Sequence, residues 1–385
     1  MGSVVVQKEP GGDVDWIGGA DAEVQRGVPG GVAGGQELGD APERTRATWL
    51  HRLVCLLVGL VWPLIWVGGL VTTYDAGMSV PDWPGTYGYN LFLYPYKTWL
   101  LGPFDLFIEH GHRLLGAVVG LVAIAVFVAS LRTDGRIENR RGVRWLCGGV
   151  LAMVIAQGML GGFRVVLSDR TLAMIHGCFG PAFFAVCTVT LVVTSRWWQN
   201  LGLHRSGEVL ASQVEGGGAR FGFWAGLLMV AMAYGQLVLG AMMRHVSPLA
   251  SASHFAGVVG LHVAGAFALW AVSAAVWWRI ARHRRRGSGG VILDGLSTPA
   301  KWLFVFVAAQ ISLGVATWVV NYGYPSLLLW VPGSESFLIR AKGFVDSMIV
   351  TGHVATGSLV LATATFLATR GYRAGSIGPT TMPSP

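Results

Sequence analysis

An all-α membrane protein with eight transmembrane helices, arranged as two pseudo-repeated four-helix bundles, is the fold class this sequence predicts. Three observations predict it. Hydrophobic residues make up 53% of the 385 residues and charged residues only 12%, whereas a soluble globular chain carries about 25% charge, and mean hydropathy is +0.54. Apolar runs near the roughly 20 residues that cross a hydrocarbon core recur along the chain. A Gln-x-x-Leu-Gly pattern returns inside them, at Gln157 to Gly161, Gln236 to Gly240 and Gln310 to Gly314.

Residues 1–45 hold glycine pairs and scattered acids with no apolar period to bury, so they are expected to be a disordered cytoplasmic tail. They do not resemble a signal peptide, because the first long apolar run starts only after Arg52 and lacks a small-residue cleavage site. A first four-helix half, 46–200, then contains runs at 53–73, 114–131, 145–163 and 171–194. A second half, 215–372, contains runs at 221–243, 255–278, 302–320 and 347–369, and 373–385 reads as a second tail. Backbone groups in lipid must be bonded within their own segment, and runs of this length are too long for barrel strands, so all eight are helices.

Lysine and arginine placement orients them. Arg132, Arg136, Arg140, Arg141 and Arg144 join spans two and three, and Arg279, Arg282, Arg284, Arg285, Arg286 and Lys301 join spans six and seven, which places these loops in the cytoplasm. Both termini follow to the same side, and the expected location is the cell membrane, as a multi-pass protein of a bacterial inner membrane. The balance of 28 Lys+Arg against 20 Asp+Glu therefore reports topology and contact with the lipid bilayer, and the basic run 282–286 reads as a juxtamembrane anionic-lipid contact rather than a nucleic-acid site. The 4 cysteines lie in apolar runs without C-x-x-C spacing, so neither a disulfide framework nor a zinc site is expected.

Ionisable side chains within spans are costly and face the bundle interior. Spans two, four, six and eight each carry a histidine near the outer end, His112, His176, His262 and His353. Two imidazoles at similar depth on helices of one bundle can hold a haem iron between them. An interhelical hydrogen bond is the plainer reading of one such histidine, but four that repeat with the duplication favour iron ligation, one haem per half.

The halves differ beside these histidines. Glu109 lies one turn before His112, whereas Val259 holds the matching place before His262. A carboxylate beside haem can move protons or stabilise positive charge, and a helix N-terminal acid can simply complement the dipole. Arg113 and Arg244 stand at the same depth, where each could pair with a propionate or snorkel to the interface. His110 points off the His112 face, and His51, His204 and His283 sit at cytoplasmic edges, so none of these is taken as a ligand.

Several motifs together resemble haem A synthase: Gly68-Gly69-Leu70-Val71-Thr72-Thr73, the run Ala76-Gly77-Met78-Ser79-Val80-Pro81-Asp82-Trp83-Pro84, Glu109-x-x-His112-Arg113, Gln157-x-x-Leu160-Gly161-Gly162 before His176, and Leu239 to His245 in the second half. The resemblance extends from about residue 50 to 370. It implies a bundle that converts haem O to haem A by oxidising a porphyrin methyl group to a formyl, for cytochrome oxidase. It further implies haem B on His262 and His353, substrate haem O flanked by His112 and His176, and Glu109 as the essential acid. The cysteine pair that many bacterial members carry in the first outer loop is absent between Thr72 and Glu109, and Thr72 stands where another family pattern has arginine. Residues 77–84 are expected to lie as a lid over the substrate edge.

No flavin or nicotinamide fingerprint is present, so haem iron must supply the redox chemistry. The expected activity is that of a membrane oxidoreductase supplied by an external electron donor, working beside haem O synthase or oxidase assembly factors and with no nucleic-acid partner. Its rival is a non-catalytic di-haem electron carrier in which both histidine pairs keep permanent haems. A small-molecule transporter would explain the repeat but leave the four histidines without a purpose.

Overall fold

The structure, a computed structural model, describes residues 49–133, 137–203, 216–247, 249–285, 290–339 and 343–376. The expected tails at 1–45 and beyond 376 fall outside these residues, as do Arg136, His204 and Arg286. Ten α-helices are present among the described residues: α1 (Trp49–Thr73), α2 (Tyr96–Leu100), α3 (Phe104–Leu131), α4 (Arg140–Val166), α5 (Arg170–Thr194), α6 (Arg196–Leu203), α7 (Gly216–Arg244), α8 (Ala252–Arg285), α9 (Gly290–Tyr322) and α10 (Phe344–Gly375). Eight of them, all but α2 and α6, are long and apolar enough to cross a membrane, and no strand is described. The chain is a multi-pass membrane protein.

Each spanning helix runs past its apolar stretch. Once a helix is nucleated, every added residue gains a hydrogen bond, so polar termini continue the ladder out of the hydrocarbon. In α3 the effect bears on the site, because the helix starts at Phe104 and so brings Glu109, His110 and His112 inside it. At the far end, Arg373 lies in the last turn of α10 rather than in a tail.

Contacts divide the spans into two sets. Each of α1, α3, α4 and α5 packs on the next, and α1 closes on α5; α7, α8, α9 and α10 do likewise, with α10 closing on α7. One apolar core joins Leu57, Val61, Val119, Ala123, Cys147 and Phe184 in the first set, and another joins Met229, Leu269, Leu303, Leu361 and Leu367 in the second. Helix α10 belongs to both, since Ala362 enters the first core and it also packs on α1 and α5. Half of its apolar window is buried, the largest share of any span.

Lipid offers no hydrophobic drive for association between helices, so close backbone approach must supply the packing. At α7 against α10, a Cβ at Gly226 would stand 2.6 Å from the Ala368 backbone. The large apolar residues left exposed, such as Leu121, Ile155, Leu261 and Trp278, are the lipid-facing surface that this packing leaves.

The end opposite the histidines is tied by arginines. Arg373 pairs with Glu138 and donates to the Trp198 carbonyl at 3.1 Å, and Arg370 donates to the Gly295 carbonyl at 2.7 Å while lying over Trp197 and Phe366. These contacts join α10 to the α3–α4 loop, to α6 and to α9.

Candidate functional site

The four span histidines come together as two pairs. The rings of His112 (α3) and His176 (α5) are 6.5 Å apart between centroids, inclined at 85°, and those of His262 (α8) and His353 (α10) are 6.2 Å apart at 76°. Two imidazoles on opposite sides of one iron, at about 2 Å per Fe–N bond and about 1.1 Å from nitrogen to ring centre, would be roughly 6.3 Å apart. Both pairs match that separation, and the ring planes can take any angle about a shared N–Fe–N axis. The donor set therefore fits haem iron in each half. Clusters of three or more His, Cys, Asp or Glu that could hold a bare metal ion do not occur among the described residues.

A glycine on the preceding span sets each ring. A Cβ built on Gly68 would stand 2.8 Å from Cε1 of His112, on Gly161 2.9 Å from that of His176, on Gly314 3.1 Å from that of His353, and on Gly240 3.4 Å from that of His262. The Gln-x-x-Leu-Gly pattern thus has a physical reason. Residues i and i+4 lie one above the other on a helix face, so a glycine at i+4 leaves the carbonyl of residue i open to a neighbouring side chain. His353 Nδ1 lies 3.1 Å from the Gln310 carbonyl, four residues before Gly314. A carbonyl can only accept, so Nδ1 carries the proton and Nε2 keeps its lone pair for a metal. The buried Nδ1 atoms of His112, His176 and His262 have no hydrogen-bond partner among the described residues.

The pairing is reciprocal. Gln157 faces Gly180, four residues after His176; Gln310 faces Gly357, four after His353; and Gln236 faces Gly265, three after His262. In the first pair Leu64 replaces the glutamine, 4.0 Å from the Cβ position of Gly116. Each antiparallel helix pair therefore interlocks large against glycine twice, a pattern that sequence inspection catches only on the glutamine side. In α4 and α5 a tight turn fixes the register, with Ser168 at φ 50° and the Asp169 carboxylate accepting from the Leu172 N–H at 2.6 Å.

Glu109 and Arg113 are found together at the end of the first pair, and both hold the loop before α3. Glu109, only 2% exposed, accepts from the Val80 N–H at 2.9 Å and from Arg113 at 2.8 Å. Arg113 also donates to the carbonyls of Val80, Asp82 and Gly85 at 2.7, 2.6 and 3.0 Å. Its two terminal nitrogens are thus committed to the loop and to Glu109. The loop is held elsewhere too: Gly77 rests on the Arg164 guanidinium, and Trp83 packs on Gly162 of α4. Asp82 accepts from the Tyr87 and Gly88 N–H groups at 2.7 and 2.9 Å. Partial burial works against its charge, but those two donors and Arg113 outweigh burial and hold its carboxyl below the ordinary value.

Arg244, the other arginine read from sequence, crosses between the two sets. It donates to the Gly69 carbonyl at 2.8 Å and the Thr73 hydroxyl at 2.6 Å on α1, and Thr73 in turn lies 3.3 Å from Thr351, two residues before His353. His110 is buried away from the pair, against Thr86 at 3.0 Å and between the rings of Tyr94 and Trp99. His51, read as a cytoplasmic-edge residue, lies 2.9 Å from Thr194 at the opposite end of the bundle.

A family model described as cytochrome oxidase assembly protein matches residues 51–261, more than half of the chain, a stretch that contains Glu109, His112, Arg113, His176 and Arg244. Several curated proteins named Heme A synthase are similar. The one from Symbiobacterium thermophilum is 26% identical over 301 residues, covering 74% of this chain and 87% of the relative. The Hyphomonas neptunium protein is 27% identical over 221 residues, 50% of this chain and 60% of its own length. That of Shouchella clausii is 31% identical over 126 residues, 32% of this chain and 38% of its own.

Proposed function

Because this chain belongs to the cytochrome oxidase assembly protein family, the family of the haem A synthases, we propose that it converts haem O to haem A by oxidising one porphyrin methyl group to a formyl. The observation that carries the proposal is the pair of imidazole pairs at iron-spanning separations, 6.5 and 6.2 Å, each ring seated on a glycine of the neighbouring helix. A role in haem A biosynthesis agrees with the names of the similar proteins.

In this reading His262 and His353 hold haem B, and His112 and His176 flank the haem O substrate. Haem iron, when bound, would supply the redox chemistry, with oxygen as the oxidant and reducing equivalents both arriving from outside the chain. The remaining residues bind and orient. His353 Nδ1–H donates to the Gln310 carbonyl, which fixes its tautomer and leaves the Nε2 lone pair available to a metal. Gly68 and Gly161 let the His112 and His176 rings approach backbone closely, so their positions are set by helix spacing rather than by flexible side chains. Glu109 and Arg113 hold residues 80–85 over the end of the first pair and so exclude water from it. Glu109 is the acid beside His112 that can hold or pass a proton when the loop opens, whereas Val259 offers no such group in the second half.

The test is expression in a host that makes haem O but no haem A, followed by extraction and separation of the pigments. Appearance of haem A supports the assignment. Two retained haems without any haem A would instead favour the electron carrier.

A further inference from the structure

We propose that Arg164 is the carboxylate anchor of the first histidine pair, binding a propionate of the tetrapyrrole held between His112 and His176; this rests on reading that pair as a haem site. Arg164 lies on α4 one turn beyond Gly161, the glycine under the His176 ring. Its charge is within electrostatic reach of both imidazoles and of Glu109. Two other span arginines at this end are engaged, Arg113 with the loop and Arg244 with α1. The Arg164 backbone carbonyl accepts from the Asp169 N–H, but its guanidinium has no hydrogen-bond or ion-pair partner among the described residues. Glu109 acts on it only through space, its direct hydrogen bonds going to Val80 and Arg113.

A guanidinium with five N–H donors and no acceptor selects an anion that presents two oxygens in a plane, and a carboxylate meets that geometry with parallel charge-assisted bonds. The loop leaves room for the guanidinium, since any side chain at Gly77 would collide with it. The second pair lacks this feature: the position three after Gly314 is Thr317, a neutral residue. In this register the cation occurs in the half assigned to the substrate, where a carboxylated ligand must be admitted, oriented and released, whereas Arg244, whose charge reaches His353 in the second half, is tied to α1.

The full chain, purified in detergent with the haem it retains from expression, would be titrated with haem B and with its dimethyl ester, reading Soret absorbance. Parent protein is expected to bind the free acid about tenfold or more tightly than the ester. Arg164→Gln should lower free-acid affinity to the level of the ester and leave ester binding and the retained-haem spectrum as in the parent. Arg164→Lys should fall between, because the charge remains without the planar fork. Parent-like preference for the free acid in Arg164→Gln overturns the proposal, and if that variant fails to retain haem, parent-like preference in Arg164→Lys does so. His112→Ala separates the two readings. If it binds added haem like the parent, the first pair is not a haem site; if it loses binding while Arg164→Gln is unaltered, only the role of Arg164 fails.

Discussion

Alanine in place of each of the four ring-seating glycines should damage the two sites in a definite order. Carbon–carbon contacts settle at about 3.5–4.0 Å. The ideal Cβ at Gly68 or Gly161 would be 2.8 or 2.9 Å from an imidazole carbon, so the ring must retreat by roughly 0.6 Å or more. At Gly314, with 3.1 Å, it must move by roughly 0.4 Å, and at Gly240, with 3.4 Å, by roughly 0.1 Å. A ligand constellation tolerates about 0.5 Å of displacement, and forcing a methyl into a packed interior costs about 1–3 kcal/mol. Gly240→Ala should therefore keep the low-spin haem spectrum of the second half at parental intensity, and Gly314→Ala should weaken it. Gly68→Ala and Gly161→Ala should leave that spectrum intact while lowering the haem A to haem O ratio by about tenfold or more. The assay is pigment extraction plus a reduced-minus-oxidised spectrum on membranes with equal amounts of each variant. Greater loss in Gly240→Ala than in Gly314→Ala, or parent-like product ratios from both first-half variants, would refute the argument that helix backbones set the rings.

Further predictions concern single contacts. His262→Ala or His353→Ala each removes one ring of the second pair and should abolish its low-spin spectrum; unchanged haem content in the purified variants would exclude the pair as ligands. Glu109→Gln is not a neutral replacement, because both oxygens accept from donors and an amide must turn its NH2 toward one of them. It should release the loop at residues 80–85, seen as faster proteolysis there, together with less haem A and an unchanged second-half spectrum. A tight loop with full loss of haem A would assign Glu109 to the chemistry alone, and parent-like behaviour in both would remove it from either role. Asp82 gives a pH dependence. Its carboxyl is held below the ordinary value in the folded loop, so the stabilisation is complete above about pH 4 and is lost as pH falls further. Hydrogen exchange of the Tyr87 and Gly88 amides should rise in that acid window, and in Asp82→Asn it should be raised already at neutral pH and lose that pH dependence.

The eight spans were legible because hydrocarbon thickness leaves few ways to place so many apolar residues. The histidines were legible as four, and the repeat suggested how to pair them. Helix ends were not, since polar residues after an apolar run extend a helix whenever the backbone ladder gains from it, as at the start of α3. The glycines opposite the rings were half visible: Gly161, Gly240 and Gly314 sit in a recurrent pattern, but Gly68 has Leu64 where the others have glutamine. The loop contacts of Arg113 were not legible. Its partners are backbone carbonyls of Val80, Asp82 and Gly85, and every residue type carries a carbonyl, so no pattern in the sequence announces them.

Helix α10 supplies a wall to both sets of spans and an imidazole to one of them, and it follows every other span in the chain. As the chain emerges from the ribosome, α1, α3, α4 and α5 can gather around their own two histidines early, but α1 and α5 must present an uncovered flank to lipid until the final helix inserts. The order in which the two histidine pairs are enclosed is thus set by the chain itself. The first pocket exists in outline before the second, and neither reaches its finished wall until α10 is in place.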